Sequence, residues 1–222
     1  MRRTLVNIIL DMSLKIETFV VGPLETNSYV LSSDADCWVV DPGMECGDLL
    51  DFLRQQKLHP RRILLTHGHG DHIAGVTEIK EAFPHARIGC PVGDAAMLRD
   101  PAANLSGAFG LFVTSPPADE LIEPGQTLHL AQLTWTVLDT AGHTCGGVSY
   151  HCPSENVCLT GDALFASSIG RTDIAGGNEY QLIKNIRHHL LTLPDFTRVL
   201  PGHGPATTVG TEKMRNPYLR GI

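Results

Sequence analysis

The chain has 222 residues, a hydrophobic content of 42%, a charged content of 18% and a formal net charge of −7. This composition excludes a disordered chain, and the length fits a single α/β domain with a well-developed core. The acidic balance, with no run of five basic residues, argues against a nucleic-acid partner and against binding to a membrane surface.

The beginning of the chain, MRRTLVNIILDM, resembles an export signal only weakly, because Asn7 and Asp11 interrupt a short apolar patch. We interpret residues 1–12 as a flexible extension, in which Met12 could be the functional start, and residues 13–222 as one domain. No apolar stretch approaches the roughly 20 residues that span a bilayer. The six cysteines form no CxxC pair, so we expect free buried thiols in a cytoplasmic protein rather than disulfides.

Short strands and helices alternate in the first half of the domain. Strands are predicted where β-branched or aromatic residues end at Gly, Pro, Ser or Asp, in KIETFVVGP, NSYVLSS and CWVVDPG. CGDLLDFLRQQ predicts a helix, and ILLT predicts a strand that is buried on both faces. VTEIKEAF predicts a second helix, with Val76, Ile79 and Phe83 on one side.

The pattern begins again after a loop rich in Ala, Gly and Pro, from Asp100 to Pro117. Strands are predicted for TLHL, TWTVLDTAG, GVSYHC and VCLTGD, and the strongest helix of the chain for residues 178–193. The apolar stripe of that helix consists of Ile183, Ile186, Leu190 and Leu193. A strand ending in PGHG and a last helix follow. Two halves with this order predict an α/β fold, a four-layer αββα sandwich of two mixed sheets with helices outside.

The segment LLTHGHGDHIAG places His67, His69, Asp71 and His72 within six residues, directly after an aliphatic run. His67 and His69 point the same way if they end an extended strand, and the two intervening glycines let the backbone continue into a tight turn. Exposed polar residues, a metal-free histidine base and a metal site are the three explanations. The spacing favours a metal, because imidazoles and carboxylates suit Zn²⁺, Fe or Mn²⁺, whereas clustered imidazoles without a cation lose hydration.

Three more titratable residues follow predicted strands: His143 in AGHT, Asp162 in TGD and His203 in PGHGP. Because loops at strand ends gather into one site in α/β folds, we expect all seven groups to converge. Thr66 and Gly75, which flank the first cluster, are interpreted as turn and cap residues. The histidines without such flanks are predicted to be ordinary surface or core residues: His59, His85, His129, His151, His188 and His189.

The segment THGHGDHIAG resembles the T-H-x-H-x-D-H motif of the metallo-β-lactamase superfamily, and AGHT, TGD and PGHGP resemble its other metal motifs in the same order. The resemblance extends from about Lys15 to about Gly210. Within the superfamily, the chain looks most like the hydroxyacylglutathione hydrolases (glyoxalase II) and their short bacterial relatives. The segments that carry this likeness are PLETNSYVL, VVDPG, HTCGGVSY, LTGDALFASSIGRTDIAGG and VLPGHGP.

The resemblance implies the αββα fold with a dinuclear site at its edge, holding two divalent ions, zinc first and iron or manganese as alternatives. One ion would be held by His67, His69 and His143. The other would be held by Asp71, His72 and His203, with Asp162 bridging both. In the family, the residue at Asp71 also orients the bridging hydroxide or accepts its proton. The implied reaction is attack of metal-bound hydroxide on a small thioester such as an S-acylglutathione.

One departure concerns the thiol half of the substrate. Full-length glyoxalase II enzymes carry a longer helical C-terminal region with glutathione contacts, whereas the sequence after Asp162 is short. Arg171, in SIGRTD, is a candidate substrate contact for an anion. An Arg171–Asp173 pair that only holds a loop explains the same residues equally well.

Other functions on the same scaffold remain open at this point. A persulfide dioxygenase with a single iron is the main alternative, since those enzymes also carry a GRTD-like stretch, and the number of metal ions separates the two hypotheses. A binding protein without activity is disfavoured because every ligand position is kept. β-Lactam hydrolysis is disfavoured because those enzymes are exported, and RNA processing because it generally involves added domains. The oligomeric state is not predicted.

Overall fold

The structure is a computed structural model that describes residues 13–220. The extension predicted for residues 1–12 lies outside this range, as do residues 221 and 222 of the predicted domain. Two six-stranded mixed sheets face each other, with helices on their outer sides. The predicted four-layer αββα sandwich is therefore confirmed.

The first sheet holds the strands of the first half of the chain in sequence order. These strands are β1 (Lys15–Val21), β2 (Thr26–Ser33), β3 (Asp36–Val40), β4 (Arg62–Leu64), β5 (Arg87–Pro91) and β6 (Glu120–Ile122). Strands β1 to β3 pair antiparallel, and β3 to β6 pair parallel. The carboxyl ends of β3, β4 and β5 therefore meet at one edge of the sheet.

The second sheet has the order β14-β13-β10-β9-β8-β7. The strands of this half are β7 (Thr127–Leu130), β8 (Leu133–Asp139), β9 (Val148–Cys152), β10 (Val157–Gly161), β11 (Leu164–Phe165), β12 (Ser168–Ile169), β13 (Arg198–Pro201) and β14 (Thr207–Thr208). Strands β11 and β12 form a separate hairpin. Strands β10 and β13 pair parallel, so that their carboxyl ends also share one edge.

The α-helices are α1 (Gly47–Gln55), α2 (Gly70–Ile73), α3 (Val76–Ala82), α4 (Glu179–Asn185) and α5 (Val209–Arg215). Short 3₁₀ segments lie at Val92–Arg99, Ser106–Phe109 and Pro153–Glu155, and a π-turn follows α4 at Ile186–Leu190. None of the helices within residues 13–220 combines the length and the hydropathy of a bilayer-crossing segment.

The core lies in three layers. Between the sheets, the rings of Trp38 and Trp135 lie 5.9 Å apart and are fully buried. Helices α1 and α3 pack on the outer face of the first sheet, and α4, the π-turn and α5 pack on the outer face of the second. Burial of apolar side chains on both sides of each sheet holds the strand ends, and the loops that leave them, in fixed positions.

The structure differs from the predictions in several elements. Strands β5, β6, β11, β12 and β14 were not predicted. The helix predicted for residues 178–193 is α-helical only over α4. Beyond α4 the hydrogen bonding changes, because the amide of Leu191 donates to the carbonyl of Ile186, five residues back. Ile186 and Leu190 remain buried, so the apolar stripe holds although the hydrogen bonds take π spacing. All six cysteines are free as predicted, but Cys145 is exposed because it lies on the loop after β8.

Candidate metal centre

All seven predicted ligand residues meet at one edge of the sandwich, where strands of both sheets end. His67 and His69 lie between β4 and α2, Asp71 and His72 lie in α2, and single residues follow β8, β10 and β13, namely His143, Asp162 and His203. The predicted strand does not reach His67, because β4 stops at Leu64. The predicted tight turn is the short helix α2, at whose start the amide of His72 donates to the carbonyl of His69.

The first cluster consists of His67, His69 and His143, all of which are buried. The Nε2 atom of His143 lies 2.9 Å from Nδ1 of His69. The ring of His67 lies 4.8 Å from that of His69 and 5.1 Å from that of His143, both edge to face. Its Nε2 atom is buried and has no hydrogen-bond partner among the described residues.

The second cluster consists of Asp71, His72 and His203. The Nε2 atoms of His72 and His203 lie 3.3 Å apart. Asp71 Oδ2 lies 3.4 Å from the first of these nitrogens and 3.2 Å from the second. Three ligand atoms from α2 and the loop after β13 therefore converge on one point.

Asp162 stands between the two clusters. Its Oδ1 atom lies 3.4 Å from Nε2 of His72, and its Oδ2 atom lies 3.5 Å from Nε2 of His143 and 3.6 Å from Nε2 of His203. One carboxylate thus reaches both clusters at once. This is the position in which a residue can bridge two ions.

The outer faces of four imidazoles carry hydrogen bonds from Nδ1 that orient the rings. The partners are Thr66 Oγ1 for His67 at 3.1 Å, Asp41 Oδ2 for His72 at 3.0 Å, the Arg171 carbonyl for His143 at 2.7 Å, and the Leu24 carbonyl for His203 at 2.9 Å. A carbonyl or carboxylate can only accept, so Nδ1 donates in the last three. In all three rings Nε2 therefore faces the centre, and its lone pair is free for a metal ion whenever the ring is neutral.

The distances within the site fit a metal ion. Ligand atoms at 2.0–2.1 Å in a tetrahedral zinc site lie roughly 3.3 Å from one another, and the separations above range from 2.9 to 3.6 Å. Burial and the neighbouring histidines keep the pKa of His67 well below its ordinary value, and the same causes lower the pKa of His69 to about 3. Both rings are therefore neutral, as ligation requires.

The carboxylates of the centre are ionised. Burial opposes the charge on Asp71, but His72 and His203 outweigh it and hold the pKa of Asp71 below its ordinary value. The pKa of Asp162 is lowered in the same way by His72, His203 and His143, again against burial. In return, Asp71 and Asp162 raise the pKa of His72 well above its usual range although burial opposes this.

Asp41, which follows β3, forms hydrogen bonds with the segment that carries His67, His69, Asp71 and His72. It was not singled out from the sequence. It is buried and accepts from the amide of Thr66 at 2.7 Å, from Thr66 Oγ1 at 2.6 Å and from His72 Nδ1 at 3.0 Å. Asp41, His67 and His72 also lie close enough to hold a metal ion, but these three donors already occupy the oxygens of Asp41. We interpret Asp41 as the residue that orients the His72 ring. Thr66 is not only the predicted turn residue, because its hydroxyl also contacts Nδ1 of His67.

Two further polar residues were also missed. Thr26 Oγ1 donates to Asp71 Oδ2 at 3.1 Å. Asp94 is fully buried and accepts from the amides of Gly68 and Gly146 and from Thr144 Oγ1, so that it joins the two histidine loops of the first cluster. Single polar residues in buried segments carry no spacing pattern, and no sequence signal pointed to them.

Gly202 lets the loop after β13 approach the centre. A Cβ atom at this position would collide with Asp162 Oδ1 and would lie 2.7 Å from Cε1 of His72. The space beside these two side chains therefore exists only because residue 202 is glycine.

Arg171 lines the cavity in front of the centre. It also forms the ion pair with Asp173 that was considered as a purely structural contact within the loop. Its Nε lies 2.8 Å from Asp173 Oδ1 and its Nη2 2.9 Å from Oδ2, with both side chains exposed. Its carbonyl orients His143. The role of its guanidinium in binding substrate stays a prediction. Among the described residues, none of the six remaining histidines belongs to a group that could hold a metal.

The fold and the site together define a class of protein: an αββα sandwich whose strand-end loops build a centre of histidines and aspartates suited to metal ions. The chain matches the model of the metallo-β-lactamase superfamily over residues 21–206. It belongs to that superfamily.

Among curated relatives, the chain is similar to the probable metallo-hydrolase YqgX of Bacillus subtilis, with 41% identity covering 91% of this chain and 96% of the relative. It is 32% identical to hydroxyacylglutathione hydrolase GloC of Haemophilus influenzae, over 93% of this chain and 98% of the relative. Both similarities span nearly the whole length of both proteins.

Solved structures show the same fold. BLEG-1 B3 metallo-β-lactamase has a TM-score of 0.89 and 38% identity, covering 93% of this chain and all of that one. TTHA1623 in a di-iron-bound form has a TM-score of 0.83 and 34% identity, covering 91% and 100%. ETHE1 from Myxococcus xanthus has a TM-score of 0.76 and 28% identity, covering 91% and 83%.

Proposed function

We propose that the protein is a hydrolase with two divalent metal ions, zinc first, that cleaves a thioester such as an S-acylglutathione. The observation that carries this proposal is the position of Asp162, whose two oxygens face the two ligand clusters. Divalent ions held in such a pair of sites lower the pKa of water to near neutrality and polarise a carbonyl oxygen. The metal-ligand roles of all seven residues are part of the proposal.

The side chains of the centre have distinct tasks in this account. The rings of His67 and His69 stay neutral and hold position, because burial and the neighbouring histidines disfavour a positive charge on them. Asp71 lines the cavity and remains a carboxylate, so that it can orient the attacking water or accept its proton. Hydrolysis joins the water oxygen to the acyl carbon and breaks the C–S bond. The products are a carboxylate, a thiol and one released proton, and the thiolate leaves without a strong general acid.

The thioester part of the proposal has two supports. The segments around the ligands resemble those of glyoxalase II, and a relative named hydroxyacylglutathione hydrolase is similar over nearly the whole chain. The similarity to a di-iron protein supports a site for two ions.

The experiment is a thioesterase assay on metal-loaded protein with S-lactoylglutathione and a simple S-acyl thiol. We expect turnover that EDTA abolishes, that metal restores, and that His69→Ala removes. His129→Ala is the matched control, because His129 is exposed on β7 and belongs to neither cluster. Normal turnover by His69→Ala would rule the proposal out.

A dioxygenase with a single iron is the second candidate, favoured by the similarity to ETHE1 and by the GRTD stretch at residues 170–173. Asp71, His72 and His203 would then surround the iron site rather than bind metal. Oxygen uptake with glutathione persulfide, together with one iron per chain, would select this function. Because one similar structure is a B3 metallo-β-lactamase, a chromogenic cephalosporin belongs in the same assay.

A further inference from the structure

A cavity of about 270 Å³ opens directly in front of the proposed metal centre. Its inner end is formed by His69, Asp71, His143, Asp162 and His203. An apolar cavity of about 150 Å³ accepts a benzene molecule, so this space can hold a group of several carbons beside the scissile bond.

The outer walls of the cavity are apolar. They include Leu24, Met44, Leu105, Phe109, Leu111 and Val113. Leu24, Phe109 and Leu111 are exposed by 50%, 67% and 49%. Large apolar side chains that face water around a reaction centre mark a binding surface.

Hydrogen bonds fix the position of the cavity wall that residues 104–113 form. The carbonyl of Asn104 accepts from the amide of Gly70 at 2.8 Å, which fastens this segment to α2. Asn104 Nδ2 donates to the carbonyl of Val113, and Ser106 Oγ accepts from the amide of Val113. Asn104 and Ser106 are buried, so the backbone that carries the apolar side chains of this wall is held in place without a ligand.

The outer walls of the cavity offer few charged partners to a glutathione moiety. Among the described lining residues, Arg171 is the only lysine or arginine, and both its Nε and its Nη2 are engaged by Asp173. Along the outer walls, the two carboxylates of glutathione would meet one cation that already pairs with Asp173, whereas an alkyl or aryl group would meet apolar surface.

We propose that this cavity selects substrates that carry an apolar group next to the scissile carbonyl, with Phe109 and Leu111 as specificity-determining residues. The proposal rests on the thioester hydrolase function proposed above and specifies its substrate class. The apolar group belongs to the acyl half or to the thiol half of the thioester, and the two arms of the test separate these sources.

In the first arm, the acyl chain is lengthened from acetyl to octanoyl on N-acetylcysteamine. In the second, the acetyl thioester is kept and the thiol is lengthened from ethanethiol to octanethiol. We expect kcat/KM to rise about two- to fourfold per methylene in one arm, until the cavity is full. Equal kcat/KM along both series, with metal-dependent turnover present, would overturn this proposal and leave the hydrolase function standing.

Two variants on the same segment locate the effect. Phe109→Ala should lower kcat/KM for the preferred long substrate about three- to tenfold more than for the shortest one. Phe112→Ala is the matched control, because Phe112 is 70% exposed, close to the 67% of Phe109, but does not line the cavity. Equal losses in both variants would contradict the assigned role.

If no thioester is cleaved, a binding measurement still tests whether the cavity prefers apolar ligands. Calorimetry on metal-loaded protein compares acetate, hexanoate, octanoate, ethanethiol and octanethiol. At least one long ligand should bind more than tenfold tighter than its short counterpart, and Phe109→Ala should reduce that difference while Phe112→Ala does not. If chain length makes no difference in either series, the apolar cavity is not a binding site, whatever the reaction is.

Discussion

The Nδ1 atom of His72 lies 3.0 Å from Oδ2 of Asp41, and both side chains are buried. Asp41 thereby directs Nε2 of His72 towards Asp71, Asp162 and His203. The residue that orients this ring lies at the end of β3, whereas the ring itself lies on α2. The first sheet therefore sets the geometry of the second ligand cluster through one hydrogen bond.

The first prediction follows from this contact. Asp41→Asn should weaken the second metal site about 10- to 100-fold, because an amide holds the His72 ring less firmly in the required tautomer. Zinc titration should then show one tight and one weakened site per chain. Asp36→Asn is the control, because Asp36 is also a buried carboxylate of the first sheet but bonds to Cys37, Arg61 and Ala131. Equal weakening in both variants would mean that general destabilisation is responsible.

The second prediction concerns Gly202. A methyl group at this position collides with Asp162 Oδ1 and crowds His72, so Gly202→Ala should lower both metal occupancy and kcat by at least about tenfold. Gly47→Ala should change neither, because a Cβ at Gly47 meets no heavy atom within 4 Å. Elemental analysis and thioester turnover, measured on both variants, provide the comparison. Full occupancy in Gly202→Ala would show that the loop after β13 can move aside.

Arg171 gives the third prediction. If the guanidinium contacts a substrate anion, Arg171→Ala should raise KM about three- to tenfold for S-lactoylglutathione and leave KM unchanged for a neutral thioester. If the pair with Asp173 only braces the loop, both substrates should be affected alike. Asp173→Asn separates these cases further, because it releases the guanidinium and should improve anion binding only under the first account.

The fourth prediction concerns pH. In the metal-free protein, burial opposes charge on His72 and His203, but Asp71 and Asp162 outweigh it and raise the pKa of both imidazoles above the usual 6.5. Metal binding must displace these protons, so metal affinity should be low in acid and should rise with pH through and above the ordinary histidine range. Calorimetry in buffers of different ionisation enthalpy should detect proton release near neutral pH. Proton uptake, or affinity independent of pH, would contradict this.

The sequence predicted the fold because its apolar periodicity is strong where the core is strong. ILLT and CWVVDPG became the buried strands β4 and β3, and VTEIKEAF became α3. Strands β5 and β6 escaped prediction, because RIGCP and ELI are too short to show a period. The π-turn at Ile186–Leu190 keeps the same apolar stripe as an α-helix, so periodicity alone could not reveal it.

The candidate ligands were predictable because four of them crowd six residues after an aliphatic run and three stand beside Gly, Thr or Pro at strand ends, and the resemblance sorted them into two sets. The orienting residues were not predictable in this way. Asp41, Thr26 and Asp94 are single polar residues whose partners lie up to 52 positions away in the chain. The cavity walls were also invisible, because the segment from Asp100 to Pro117 reads only as an irregular loop until Asn104 and Ser106 are seen to hold it in place.

The most direct test of the account is the number of metal ions bound per chain, measured by elemental analysis after loading with zinc and dialysis, for the wild type and for Asp162→Ala. The account predicts about two ions in the wild type, because Asp162 completes both ligand clusters, and a loss of at least one in the variant. A wild type that retains one ion or none, or a variant that retains both, would contradict it.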